Sequence, residues 1–175
     1  MRKLLLICLC PFLFSAYQQQ EDAAAMNAKK KTIFLYSFTK YIDWPTDYKS
    51  GNFIIGVYGN NATLVSELNK MAATKMAQSQ KIEIKSLNSL ESTAKYHILF
   101  IPSENVAQFP DAIAKLKGHG TLLVTEEKGM IKKGSAINFV TVDSKIKFQI
   151  SITNAEKQHL KISRELEALA IKDND

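Results

Sequence analysis

The chain is poor in the residues that carry covalent, redox or metal chemistry. Its only cysteines are Cys8 and Cys10. Both fall in the leader described below, so the mature chain is expected to hold no thiol, which excludes a disulfide framework and a thiolate metal site. His97, His119 and His159 are the only histidines. None has a second His, a Cys or a carboxylate pair at ligand spacing, so each is read as structural and no metal is expected. There is no G-x-S-x-G elbow and no carboxylate pair distinct from the ordinary surface acids. Neither "GVYGNN" nor "GMIKKGSA" has the glycine spacing of a dinucleotide loop or a P-loop. No cofactor is expected, and the chain reads as a non-enzyme. A basic stripe with interleaved aromatics is also missing. The formal charge of +6 is dispersed, with Lys29-Lys30-Lys31 as its densest run, so nucleic acid is not an expected partner.

What is present begins at the N-terminus. "MRKLLLICLCPFLFSAYQQQ" joins Arg2 and Lys3 to an apolar run from Leu4 to Phe14 and then to small and polar residues. This is the plan of a secretory signal peptide, and the run is too short to cross a bilayer. Cleavage after Ala16 would leave bulky Phe14 at position −3, whereas cleavage after Gln18 puts Ala16 there. Residues 1–18 are assigned to the leader, with the boundary between 16 and 20. Cys8 follows Ile7 and Cys10 follows Leu9, not the small residue that a lipid-anchored cysteine needs. Removing Arg2 and Lys3 takes 23 basic residues to 21, and the charge from +6 to +4. That is the balance of an ordinary soluble surface.

Residues 19–29 then lead into a first helix, expected from Ala23 to Asp43, with Ile33, Phe34, Phe38, Tyr41 and Ile42 on one stripe. Glu21 and Asp22 suit its N-terminus. In "FTKYIDWP", Pro45 disfavours helical geometry at Trp44, so the helix is expected to stop at Asp43 or Trp44. Its aromatics would pack in the core; the alternative is that Phe34, Phe38, Tyr41 and Trp44 stack on a ligand. "NFIIGVYG" reads as a buried strand and "NATLVSELNKMA" as a helix capped by Asn60 or Asn61. "KIEIKSL" alternates as a half-buried strand, and "YHILFIP" and "TLLVTE" are apolar as central parallel strands are. Between them "ENVAQFPDAIAKLKG" is a helix whose start Pro110 would delay or bend.

After Gly129, "SAINFVTVDSKIKFQIS" has only the turn signal Asp143-Ser144 between two strand-like runs, which predicts a hairpin. Its second arm would bury Ile146, Phe148, Ile150 and Ile152 and present Lys147, Gln149 and Ser151. "NAEKQHLKISRELEALA" predicts one closing amphipathic helix. The fold class is therefore α/β: a single domain over residues 30–170, with a mixed sheet, a βαβ-type core flanked by helices, a C-terminal hairpin plus helix, and a tail at 171–175.

Two candidate sites follow. Ligands of α/β sheets bind beyond the strand C-terminal ends, which here points to a crevice near Asn60, Ser103 and Glu126, with Asn138 close by. Asn138 could face a partner there or satisfy backbone groups at a strand end. The second site is the hairpin arm, where Lys145, Lys147, Gln149 and Ser151 would meet a partner protein if the arm lies at a sheet edge.

The blocks "KKTIFLYSFTKYIDWP", "FIIGVYG", "YHILFIP", "GTLLVTEEKGMIKKGSAINFV", "IKFQI" and "LKISRELEALA" stand in the order seen in the YfiR/HmsC-like family, which the chain resembles from about Lys30 to Ala170. The resemblance implies a periplasmic regulator that restrains an inner-membrane signalling protein with a periplasmic sensor domain, such as a diguanylate cyclase or a histidine kinase. A small-molecule ligand and a second copy of the chain are further candidate partners. Two departures stand out. Ser151 occupies a position where the family commonly has Asn, and the disulfides of some members have no counterpart in a cysteine-free mature chain.

Overall fold

The computed structural model describes residues 10–91 and 94–172, with side chains from Gln19 onward. The leader expected over residues 1–18 lies largely outside the described residues. Cys10–Gln18 continue as helix into α1 (Cys10–Tyr41). This helix is about 48 Å long at 1.5 Å per residue, and it begins well before Ala23, so Glu21 and Asp22 sit inside it and not at its start.

Its buried face keeps only part of the expected stripe: Phe38 is buried with Phe34 packed against the core and Ile42 buried just past the helix end, but Ile33 and Tyr41 face outward. Ala28, Thr32, Leu35, Phe38 and Thr39 turn inward, while Ile33 is 64% exposed and Tyr41 38% exposed. Ile33, Phe34, Leu35 and Tyr36 are consecutive and apolar, so they cover every side of one turn and the 3.6-residue period cannot choose among them. The helix ends at Tyr41, earlier than expected. Ile42–Asp43 form β1, which pairs antiparallel with β9 (Lys161–Ile162). Tyr41 O accepts from Ser163 N at 2.9 Å, which draws the chain into strand pairing before Pro45 can enforce the stop.

The main sheet contains β2 (Phe53–Tyr58), β3 (Met76–Ala77), β4 (Gln80–Leu87), β5 (Ile98–Ile101), β6 (Leu122–Thr125), β7 (Ile137–Val142) and β8 (Lys145–Ile150). Their order is β3-β4-β2-β5-β6-β7-β8. The five central strands, β4-β2-β5-β6-β7, are parallel, and β3 and β8 are antiparallel edges. Numbered among themselves, the parallel strands run 2-1-3-4-5, a doubly wound order whose switch point lies between β2 and β5.

Alternate residues divide the core. Phe53, Ile55, Val57, Ile98, Phe100, Leu122, Val124, Ile137, Phe139 and Phe148 face α1 and α2 (Ala62–Ala72). Tyr58, Leu99, Ile101 and Leu123 face α3 (Phe109–Leu116) and α4 (Met130–Lys133). Asn61 caps α2, its side chain accepting from Leu64 N at 3.1 Å, and Leu64 and Leu68 bury that helix. Each such leucine contributes about 1.5–3 kcal/mol. Pro110 delays α3, since Ser103–Gln108 form 3₁₀ turns before Phe109 opens the α-helix.

The closing segment is the other departure. The single helix expected from Asn154 is instead α5 (Ile152–Glu156), β9 and α6 (Arg164–Leu169). His159 adopts φ 57°, with Leu160 N bonded to Ala155 O and His159 N to Glu156 O, a Schellman close with a histidine where glycine is usual. Ser163 then caps α6 through Leu166 N at 3.2 Å.

Candidate functional site

Of the expected crevice residues, Asn60, Ser103 and Glu126 lie at the C-terminal end of the sheet, and Ser103 and Glu126 are joined within the fold. Asn60 is exposed beyond β2, and Ser103 follows β5 across the switch point. Between them the side chain of Asn105 lies across Gly59, where a Cβ would come within 2.1 Å of Oδ1. Glu126 accepts from Ser103 N at 3.4 Å and pairs with Lys31 of α1. Lys31 and Glu126 are only 17% and 13% exposed, and the ammonium sits 5.6 Å from the centre of the Phe100 ring.

Asn138 is not with them. It lies fully buried one strand further on, where its Oδ1 meets Thr125 Oγ1 at 2.8 Å and its Nδ2 donates to Gln149 Oε1 at 3.1 Å. Ser135 Oγ donates to Ile137 O at 2.7 Å and contacts Thr125 Oγ1 at 2.9 Å. Asn154 Nδ2 extends the set to the carbonyls of Ile131 and Ser135, tying α5 to the turn after α4. The four side chains Thr125, Ser135, Asn138 and Gln149 thus stitch β6, β7 and β8 together beneath α4. Asn138 is engaged inside the fold, but its partners are the side chains of Thr125 and Gln149 and not the backbone groups expected at a strand end.

The hairpin arm is the outermost strand. Asp143 and Ser144 have φ 50° and 59°, the two left-handed residues of a type I′ turn, and the register sets Val142 opposite Lys145 and Asn138 opposite Gln149. In a two-residue hairpin the pair flanking the turn is hydrogen-bonded and such pairs alternate, so Lys145, Lys147 and Gln149 direct their backbone groups to β7. Ile146 and Phe148 direct theirs outward. Phe148 O is capped by Ile171 N at 2.9 Å, with Gln149 bridging Ile171 in parallel. Ile146 is left with an outward N–H and C=O.

The side chains of this arm grade along its length. Ile146 and Ile150 pack against the cluster beneath α1, where Phe148 meets Phe34 at 5.3 Å and Phe38 at 5.5 Å. On the other face Lys145 is exposed, Lys147 half-buried and Gln149 only 6% exposed. Exposed Lys132 and Lys133 belong to α4, which lies over that same face. Ser151 is not a free surface group, because its Oγ accepts from Asn154 N at 3.2 Å and caps α5. The Asn common at this position in the family would be an equally good cap. Of the four expected contact residues, Lys145 and Lys147 are placed at the surface; Gln149 and Ser151 are engaged inside.

His97 was read as structural, and its surroundings show the role. Nδ1 accepts from Ile54 N at 3.0 Å, so Nε2 carries the proton and donates to Tyr48 O at 2.7 Å. Burial pushes its pKa below the usual histidine value. The ring packs 4.1 Å from Phe53 and 5.1 Å from Tyr48, and Trp44 Nε1 donates to the His97 carbonyl at 3.1 Å. "FTKYIDWP" therefore delivers Trp44 as a plug at the N-terminal end of the sheet. Among the described residues no group of three or more His, Cys, Asp or Glu side chains could hold a metal ion, and no helix is long and apolar enough to cross a membrane.

The fold and these two surfaces define a small doubly wound α/β domain with one partly open sheet edge. The chain belongs to the YfiR/HmsC-like family, a family of regulatory proteins, whose model matches residues 28–171. Those bounds coincide with the structure: Ala28 is the first buried residue among the α1 side chains described, and Ile171 bridges β8. No curated protein matches the chain.

Proposed function

We propose that the mature chain is an exported periplasmic regulator that binds, and restrains, the periplasmic sensor domain of an inner-membrane signalling protein such as a diguanylate cyclase or histidine kinase. It acts by binding and not as an enzyme. Family membership and the leader pattern in the first eighteen residues support this reading. The observation that carries it is the open stretch of β8, where Ile146, between Lys145 and Lys147, directs outward an N–H and C=O that meet no backbone partner among the described residues. Such an edge accepts an extended strand from another chain, and the lysines favour an acidic one. Restraint follows if the partner's inactive state presents that strand better than its active state, because a ligand shifts an equilibrium only by its differential affinity.

The test is association of the purified mature chain with the partner recovered from membranes. Lys145→Glu with Lys147→Glu should slow association and flatten its salt dependence. An unchanged rate at both low and high salt removes the hairpin from the interface, and failure to recover any membrane receptor removes the reading itself.

A further inference from the structure

We propose that the segment after α6, Ala170 to Lys172, is a strap that holds the inner half of the β8 edge shut and is displaced when a partner strand pairs along that edge. This deepens the reading of β8 as the partner surface and rests on it.

The outward backbone groups of β8 belong to every second residue, Ile146, Phe148 and Ile150. Ser151 continues the opposite set, its N–H turning inward to Ala136 O at 2.9 Å. Along the outer edge Ile171 N donates to Phe148 O at 2.9 Å, and Ile171 bridges Gln149 in parallel. The open stretch is therefore only Lys145 to Lys147, with a single outward N–H and C=O at Ile146. Strands in sheets commonly run about five or six residues. A partner strand pairing over that length meets Ile171 and must move it.

The closure is a light one. α6 ends at Leu169, which is 65% exposed, and Ala170 leaves the helix in an extended conformation with φ −74° and ψ 149°. That geometry sends the next N–H to the strand edge. Among the described residues the hold of the strap on β8 is a one-residue bridge, with Ala170 packed against the core cluster and Lys172 exposed. The hairpin beneath it is a ladder running from Ile137 opposite Ile150 to Val142 opposite Lys145. A lone bridge near a chain end opens without melting such a ladder. Because only the open fraction can bind, the strap weakens the free chain for an extended partner.

The experiment has two arms. Amide hydrogen exchange on the parent mature chain should find Ile171 protected at least about tenfold less than Lys147 and Gln149, whose amides face β7. Equal protection would make the segment a fixed part of the fold and overturn the proposal; this arm needs no variant to fold. The second arm measures association with the partner recovered from membranes. Ile171→Pro removes the N–H that bonds Phe148 O and suits the extended Ala170 before it, whereas Ile171→Ala keeps the N–H and trims the side chain. The proline variant should bind roughly two- to tenfold more tightly than the alanine variant, the worth of one backbone hydrogen bond. Equal or weaker binding overturns the strap and leaves β8 as the partner edge, provided that Lys145→Glu with Lys147→Glu still slows association. If that double variant associates at the parent's rate, or no receptor is recovered, the edge reading fails and the strap falls with it.

Discussion

The two ends of the sheet manage polar groups in opposite ways. At the C-terminal end, where doubly wound sheets ordinarily bind ligands, Lys31, Glu126, Thr125, Ser135, Asn138 and Gln149 are paired with one another or with backbone. At the N-terminal end, aromatic rings fill the interior around one neutral histidine, and the exposed imidazoles of His119 and His159 stand on the rim without a hydrogen-bond partner among the described residues. The difference teaches that a polar residue in an apolar strand is more informative about internal satisfaction than about a ligand. Burial forces it to find a partner, and neighbouring strands supply one.

The largest effect expected belongs to the aromatic end. Trp44→Ala should cost on the order of 3–5 kcal/mol in a denaturant melt, because it empties the plug against Phe53 and removes the bond to the His97 carbonyl. An unchanged melt would mean that Trp44 is a contact residue and not a plug. Acid should act on the same end. His97 is buried neutral with its pKa lowered, whereas the unfolded chain takes up a proton near the ordinary value of about 6.5. The unfolded state therefore binds more protons below that value, so stability is full above it and falls as pH drops toward the folded pKa. His97→Asn should lower stability at neutral pH and make the decline below pH 6.5 shallower; an equally steep decline would place the acid sensitivity elsewhere.

A smaller cost is expected at the polar end. Asn138→Ala should destabilise by about 1–3 kcal/mol, because it removes the buried side chain that joins Thr125 Oγ1 to Gln149 Oε1. If Asn138 were kept for a ligand instead, its loss would leave the melt unmoved, and the comparison between the two ends would collapse. Next comes Ser163→Ala, which removes the α6 cap and should cost about 1 kcal/mol. No change there would mean that α6 is held by Leu166 alone.

How much of this was legible follows from the kind of signal each element gives. Apolar runs ended by Gly or Pro marked β2 and β5, the apolar run of Leu122 to Val124 marked β6, and Asp143-Ser144 marked the hairpin turn, because burial and turn geometry are local demands. The buried face of α1 was legible only in part, at Phe34 and Phe38, since Ile33 through Tyr36 leave no polar residue to set the phase. The break in the closing helix had a local signal, Ser163 followed by Glu165 and Glu167, which is a helix start. The apolar rhythm from Leu160 to Ala170 masked it, and the pairing of β9 with β1 is a long-range event that no local pattern announces. The same holds for the sites. Asn138 and Gln149 sit eleven residues apart in sequence but directly opposite in register, whereas His119 and His159 come from turns whose meeting depends on the whole fold.

The smallest effects should resolve the comparison within a single strand. Lys145, Lys147 and Gln149 share one face of β8 and pass from exposed to half-buried to buried toward the polar network. If burial, and not residue type, decides what a polar side chain does, alanine at the three positions should give a graded series. Gln149→Ala should cost most, because it strands the Asn138 amide. Lys147→Ala should cost less, through loss of the packing of its stem, and Lys145→Ala should fall within about 0.5 kcal/mol of the parent chain. Partner association should show the reverse ranking, with Lys145 and Lys147 mattering most and Gln149 only as far as its loss loosens the hairpin. A chain in which all three alanines melt alike would show that the edge is held by its backbone ladder alone. The buried network would then not be what fixes the hairpin in place.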